Sequence, residues 1–306
     1  MTILIRLLIF ILLGVQPIQG ADFAIISDIG ASAQSIGMGN IEGFSKAADT
    51  VFENPAGLYR IKNTSVSFFK TTVMEQEVLY HALSIAQKTP MGTIGFGYFE
   101  TSVYDIAKTK RRITYVPVHE VDYLFDYKNS IYKLSYQRSL KPGFEIGGSF
   151  TSYQHRYYDV NGKGSNIDLG MIWHKRNREL SFLIRNIAPN SKVYYSNPNY
   201  DYEPIPTHFV LSGKLPYRTL CVYPQLKKIR SQVLPSLGLS LSPTFIPFIN
   251  FLTGYKETLD YTYNRVHSWS FGMGLSLYDL QLNYAYERSD YILQDHKSYF
   301  SIAYFF

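Results

Sequence analysis

A strict two-residue alternation of apolar with small or polar side chains, repeated along the chain from residue 64 onward, limits this protein more than any other feature. Trp269, Phe271, Met273, Leu275 and Leu277 alternate with Ser268, Ser270, Gly272, Gly274 and Ser276. Ile94, Phe96 and Tyr98 are interleaved with Thr93, Gly95 and Gly97, and Tyr132, Leu134 and Tyr136 with Lys133, Ser135 and Gln137. A period of two sends successive side chains to opposite faces of a strand. Each run therefore has one apolar face and one small or polar face. In a soluble sandwich the apolar face is the core; in a membrane barrel it meets lipid, and the other face lines the lumen. The period alone does not separate these. The runs last about 8–11 residues, the length a tilted strand needs to cross a bilayer. Tyr and Phe recur near their ends, as an interfacial girdle requires.

Composition removes several other classes. The 306 residues are 18% charged and 16% aromatic, too apolar for a disordered chain. Cys221 stands alone, so a disulfide scaffold is excluded. The one long apolar run is N-terminal, which argues against a polytopic helical membrane protein. The net charge of +6 is spread along the chain, which argues against a nucleic-acid binder. The histidines His81, His119, His155, His174, His208, His267 and His296 show neither ligand spacing nor a nucleophile signature. We therefore expect no enzyme activity, no metal and no cofactor.

Residues 1–20 read as an export signal, with Arg6 before the apolar stretch 7–15, Pro17 breaking it, and Gly20 at the cleavage position. An uncleaved anchor is the alternative. Residues 21–63 form a segment outside the alternating pattern, and residues 64–306 the barrel. Short connections rich in Pro, Gly and Asp fall at 88–92, 141–143, 175–178, 214–217, 242–244 and 278–279. Longer polar ones fall at 102–129, 153–165, 187–205, 225–232, 257–266 and 288–294. Short and long alternate, as periplasmic turns and extracellular loops do. The plain runs give thirteen strands. An even number is required when both ends lie in the periplasm, so 218–223 is assigned as a ninth strand of fourteen. The last strand carries Phe300, Ile302, Tyr304 and Phe306 on one face, the expected signal for the barrel-insertion machinery; an ordinary edge strand is the alternative. The expected fold is all-β: an antiparallel transmembrane barrel of about fourteen strands in the outer membrane of a Gram-negative-type bacterium, among outer-membrane lipids and lipopolysaccharide.

Residues 28–58 are rich in Gly, Ala and Ser, with a short helix expected near 45–52. Small residues let a backbone pack closely inside a lumen, and Asn54 before Pro55 is biased to extended geometry. Asp49 is placed to cap or hydrogen-bond locally. The pieces Gly30-Ala31-Ser32-Ala33, Gly37-Met38-Gly39, Ala47-Ala48-Asp49 and Asn54-Pro55-Ala56-Gly57-Leu58, with Arg185-Asn186-Ile187-Ala188-Pro189 and Pro204-Ile205-Pro206 further on, resemble the FadL-like outer-membrane barrels, most closely their PorV/PorQ branch. The resemblance implies fourteen strands and an N-terminal segment that enters the lumen from the periplasm. It implies either passage of hydrophobic or amphipathic compounds, through a lateral opening in FadL proteins, or service in type IX-like protein secretion by binding cargo or partner proteins. The segment carrying Gly30, Gly37, Gly39, Asp49, Asn54, Pro55, Ala56 and Gly57 is then either a hatch that gates the lumen or a plug that stops leakage.

Two basic groups, Lys108 with Lys110, Arg111 and Arg112, and Lys227 with Lys228 and Arg230, fall in expected external loops. They suit lipopolysaccharide phosphates or a plain solvated face. Tyr194, Tyr195, Tyr200 and Tyr202 form an aromatic loop suited to partner docking or to the girdle. The inward face is dominated by Ser, Gly, Asn, Gln and Thr with few charges, which suits a plugged barrel or one passing neutral or amphipathic solutes. A hydrophobic solute, a secreted protein, or no ligand at all are the partners left open.

Overall fold

The computed structural model describes residues 29–73, 78–112, 118–189, 191–196, 202–260, 264–290 and 297–306. The export signal and Tyr200 lie outside the described residues. Fourteen strands close an antiparallel barrel. They are β1 (Thr64–Val73), β2 (Val78–Thr89), β3 (Gly92–Arg112), β4 (Val118–Lys141), β5 (Phe144–Tyr157), β6 (Val160–Lys175) and β7 (Arg178–Arg185), then β10 (His208–Tyr217), β11 (Leu220–Ile229), β12 (Gln232–Leu241), β13 (Ile249–Leu259), β14 (Arg265–Leu277), β15 (Leu280–Ser289) and β16 (Lys297–Phe305). Two short strands, β8 (Lys192–Tyr195) and β9 (Tyr202–Pro204), form a side hairpin on the outer end of β6. Pairing of β16 with β1 closes the ring.

The alternation resolves in favour of the membrane barrel. Leu83, Ile85, Ile94, Phe96, Leu134, Phe150, Phe271 and Met273 are exposed on the outer wall, whereas the interleaved Ser84, Thr93, Ser135, Ser149 and Ser270 are buried inside. Each such apolar side chain left in water would forgo about 1.5–3 kcal/mol, so the outer band is stable only in lipid. The band ends at a polar cross-strand row: Lys70 faces His81, His81 faces Glu100 and Glu100 faces Ser130, with Ser130 Oγ donating to Glu100 Oε2 at 3.2 Å.

The 218–223 assignment holds as the ninth barrel strand, but β11 runs on to Ile229, and its turn is Arg218-Thr219, with Arg218 at φ +53°. Residues 214–217, expected as a turn because of Pro216, belong to β10, where Pro216 pairs with Cys221. Three expected long loops are also shorter than read. Much of 102–129 is strand, with β3 and β4 running past the apolar band as a projecting hairpin. Residues 153–165 close in a tight turn between Tyr157 and Val160, and 225–232 close between Ile229 and Gln232. Polar composition suggested loops, but cross-strand aromatic packing keeps these segments extended. Tyr123 stacks on Tyr158 at 5.3 Å and Phe125 meets Tyr157 edge-on at 5.3 Å.

Candidate functional site

Inside the barrel lies the N-terminal segment. A five-residue helix, α1 (Ala33–Gly37), is followed by 3-10 turns at Ala48–Val51 and Pro55–Arg60. The second helical stretch falls within the expected 45–52 window as a 3-10 turn. Such short elements leave many backbone N–H groups unbonded, and the inward face of the wall takes them. Ser301 Oγ accepts from Ala33 N at 3.3 Å, Ser270 Oγ from Gly39 N at 3.0 Å, Gln225 Oε1 from Glu42 N at 2.9 Å and Ser65 Oγ from Ala48 N at 3.2 Å. This gives the luminal Ser and Gln a definite task.

Close approach is achieved by glycines on both sides. Met38-Gly39 lies against Gly238 and Gly254, which are register partners on β12 and β13. A Cβ on Gly254 would stand 2.1 Å from Gly39 N. Gly39 itself has φ +78°, open to glycine at no steric cost. On the opposite wall, Gly147 and Gly170 are partners on β5 and β6 and receive Asn54-Pro55. Asn54 is fully buried. Its Nδ2 donates to Ser181 Oγ at 2.8 Å and Phe182 O at 3.1 Å, and its Oδ1 accepts from Ala56 N at 3.0 Å, which caps the second turn.

Between these two anchorages is a small, partly open cleft with a cavity volume of about 60 Å³. Phe52 of the plug and Phe99, Ile131 and Tyr153 of the wall give it an apolar side; Phe99 pairs with Ile131 and Ile131 with Tyr153 across β3, β4 and β5. Phe52 meets Phe99 edge-on at 6.2 Å. The other side carries charge. Lys133 Nζ is 2.7 Å from Asp168 Oδ2, and Arg185 Nη2 is 2.6 Å from Glu42 Oε2. Arg185 also donates to the carbonyls of Phe52 at 2.6 Å and Glu53 at 3.1 Å. Glu42 accepts a further contact from Lys227 Nζ at 3.4 Å.

The plug has its own buried carboxylates. Glu53 accepts from Gly43 N at 2.9 Å and from the Ser35 hydroxyl, so it ties the plug to itself. Burial, with nearby Asp49 and Glu42, pushes its pKa up to about 7. Burial also raises that of Asp49, against the lowering hydrogen bond from Ser45. At the end where the short turns lie, Glu179 binds Arg60 of the plug and Lys214 of β10, the latter at 2.7 Å.

The inward face is thus more charged than its Ser, Gly and Thr content suggested. Lys227 and Lys228 lie on β11, both buried, rather than in an external loop; Lys227 turns inward to Glu42 because the alternation continues to the end of the strand. Lys108 is on the projecting β3, where its Nζ donates to Tyr123 OH at 2.7 Å and Tyr158 OH at 2.8 Å. Lys110 is exposed beside it, and Arg111 and Arg112 continue the strand. Tyr194 and Tyr202 are exposed on the side hairpin, with Lys192 Nζ 3.4 Å from the Tyr202 ring centre; Tyr195 instead donates to Glu203 Oε2 at 2.5 Å. Phe300, Tyr304 and Phe306 are exposed on the outer wall, and Ile302 shares their face. Of the head residues, Gly30 lines the cleft, Gly37 packs on Gly272, Asp49 sits in the first 3-10 turn, and Pro55, Ala56 and Gly57 open the second.

Sequence reasoning did not single out Glu42, Glu53, Asp168 or the aromatic wall. A signal existed: Lys133, Asp168 and Arg185 each occupy an inward position in a strand whose other inward residues are mostly small or uncharged. A lone charge there needs a partner.

The fold, a closed outer-membrane barrel with its N-terminal segment inside, is similar to that of several solved outer-membrane channels. No protein-family model and no curated protein matches the sequence. Among solved structures, the Pseudomonas putida toluene transporter TodX is similar at TM-score 0.61 and 11% identity over 90% of this chain and 99% of that one. The CymD monoaromatic hydrocarbon channel is similar at TM-score 0.60 and 11% identity, covering 91% and 98%. A Pseudomonas aeruginosa FadL homologue is similar at TM-score 0.56 and 11% identity, covering 89% and 97%. At such identity the likeness concerns the fold.

Proposed function

We propose that this chain is an outer-membrane channel for small apolar compounds, and that the cleft between plug and wall is their binding station. The observation that carries the reading is the apolar side formed by Phe52, Phe99, Ile131 and Tyr153, part of an inward apolar cluster that continues through Tyr80, Phe69 and Tyr299. A leakage plug alone has no use for an apolar chamber of this kind; a channel for apolar solutes does, because burying ligand surface is what holds such compounds. The described fold relatives include proteins termed a toluene transporter and a monoaromatic hydrocarbon channel, which supports the same class of solute here.

A side exit fits one feature of the wall. The β12–β13 ladder runs from Leu241↔Phe251 to Ser236↔Lys256, and Gln232–Pro235 have no register partner on β13. Pro235 has no N–H to extend that ladder. Asn40 lines both the central cleft and the small pocket at this edge, so the two spaces meet at a single plug residue. The resemblance to the PorV/PorQ branch and its secretion role draw no support from the three structures compared.

The test is uptake of dilute labelled toluene by cells whose own hydrocarbon channels are deleted. Expression of this chain should raise the uptake rate, and Ile131→Asp should abolish the gain without removing the folded barrel from the membrane. Uptake equal to that of cells with an empty vector would overturn the proposal.

A further inference from the structure

The charged side of the cleft narrows the solute further, given the channel reading just proposed. We infer that the preferred cargo is a small apolar compound bearing one uncharged hydroxyl, an alcohol or phenol, in preference to a carboxylate or a bare hydrocarbon. Three observations converge. First, the two cations at the cleft are committed: Lys133 to Asp168 at 2.7 Å, and Arg185 to Glu42 at 2.6 Å and to two plug carbonyls. An anionic ligand would have to compete with Asp168 or Glu42 for these cations, adding a charge to a buried site whose carboxylates already take them.

Second, the local field already disfavours negative charge. Glu53 lines the cleft, and its carboxyl holds its proton up to about pH 7 because of burial and the neighbouring Asp49 and Glu42. A further anion beside it meets the same penalty. Third, polar atoms stand ready for a neutral partner. Thr151 lines the cleft at 1% exposure, and its hydroxyl has no hydrogen-bond partner among the described residues. Thr101 Oγ1 and Asn129 Oδ1 are likewise buried and unpartnered. They face each other across β3 and β4, one inward position beyond the Phe99–Ile131 pair. A hydroxyl both donates and accepts, so it satisfies a threonine hydroxyl or an amide oxygen without adding charge. A hydrocarbon leaves these groups unbonded, and a site with unbonded polar groups rejects the ligand that cannot reach them.

The experiment is titration of the purified full-length barrel in detergent with p-cresol, toluene and p-toluate, followed by calorimetry. The three probes share one ring and one methyl and differ in the polar group. We expect p-cresol to bind about tenfold more tightly than toluene, as one hydrogen bond to a buried group allows, and p-toluate to bind more weakly than either. Thr151→Val, of equal shape, should bring the two together, weakening p-cresol and strengthening toluene because the unbonded hydroxyl is gone. The wild-type ranking stands without the variant, so a variant that does not fold leaves the test intact. Toluene and p-cresol binding within twofold of one another, or p-toluate binding tightest, would overturn this inference and leave the channel reading standing. Absence of binding by all three would remove both.

Discussion

Replacing Asn54 by alanine should loosen the plug while leaving the barrel alone. Asn54 joins the start of the second 3-10 turn to the middle of β7 and caps that turn as well, while Tyr59 and Arg60 hold its far end to Glu179. Loss of the cap costs about 1 kcal/mol. Loss of the bonds to Ser181 and Phe182 costs about 1 kcal/mol each, since the site is buried and the groups left behind have no water. The total is about 3 kcal/mol, which at about 1.4 kcal/mol per tenfold multiplies the undocked fraction of this turn about a hundredfold. The interstrand ladder is untouched, so the heat-modifiable mobility of the folded barrel on gels should not change. Hydrogen exchange read by mass spectrometry reports the plug separately: peptides covering residues 48–61 should exchange about a hundredfold faster, and peptides of β14–β16 at their former rate. Unchanged protection of 48–61 would refute the reasoning, because it would mean that the glycine contacts hold this turn without Asn54. Equal loss of protection across plug and wall would refute it in the other direction, by making the plug part of one cooperative unit.

Gly254→Ala places a methyl 2.1 Å from Gly39 N and Met38 C, backbone atoms that cannot swing aside; exchange should rise in 33–44 and not in 48–61, and an unaltered pattern would show that the wall yields instead. Glu53 gives the plug a pH dependence. Its docked value of about 7 lies above the ordinary 4.5, so docking is strongest below about pH 4.5 and is lost as pH climbs through 7, by at most about 3 kcal/mol. Asp49 acts in the same direction. Plug exchange corrected for intrinsic chemistry should therefore accelerate from pH 5 to pH 8, and Glu53→Gln should flatten most of that slope; a flat profile in the wild type would contradict it.

Much of the wall was legible because lipid and lumen impose opposite demands on adjacent residues. Leu134 and Ser135 cannot exchange places without putting a leucine against the plug and a hydroxyl into lipid. Strand number followed from parity, and 218–223 was located although Pro224 and the basic run after it disguise the rest of β11. Strand ends were less legible. Beyond the apolar band both faces are wet, so 102–112 and 118–129 read as loop, and only the ring contacts of Tyr123, Phe125, Tyr157 and Tyr158 show why they stay paired. The cleft was least legible of all. Its parts come from the plug and from β3 to β7, far apart in sequence, and no spacing rule relates Phe52 to Phe99 or Glu42 to Arg185. What the sequence did contain was the pair of small-residue faces: Gly37 and Gly39 in the head, Gly238 and Gly254 in the wall.

Those faces bear on whether the segment is a hatch or a fixed plug. The plug is held at two places on different walls. Residues 37–41 rest on β12–β14 through close glycine contacts, and residues 54–60 are fastened to β5–β7 by Asn54, and by Arg60 on Glu179. Withdrawal of the whole segment would break both sets and also the contacts of Arg185 and Lys227 with Glu42. Movement of residues near 40 alone disturbs far less, because Asn40 sits at φ +56°, a conformation a non-glycine residue leaves readily once its contacts are lost. It is also the residue that parts the central cleft from the pocket at the β12–β13 edge. The two anchorages thus favour a small shift about Asn40 over expulsion of the plug, with the Asn54 turn as the fixed end. Asn54→Ala and Gly254→Ala separate these roles: only the second should change the rate at which a bound solute leaves the cleft, and an equal effect of both would return the whole segment to the status of a single rigid stopper.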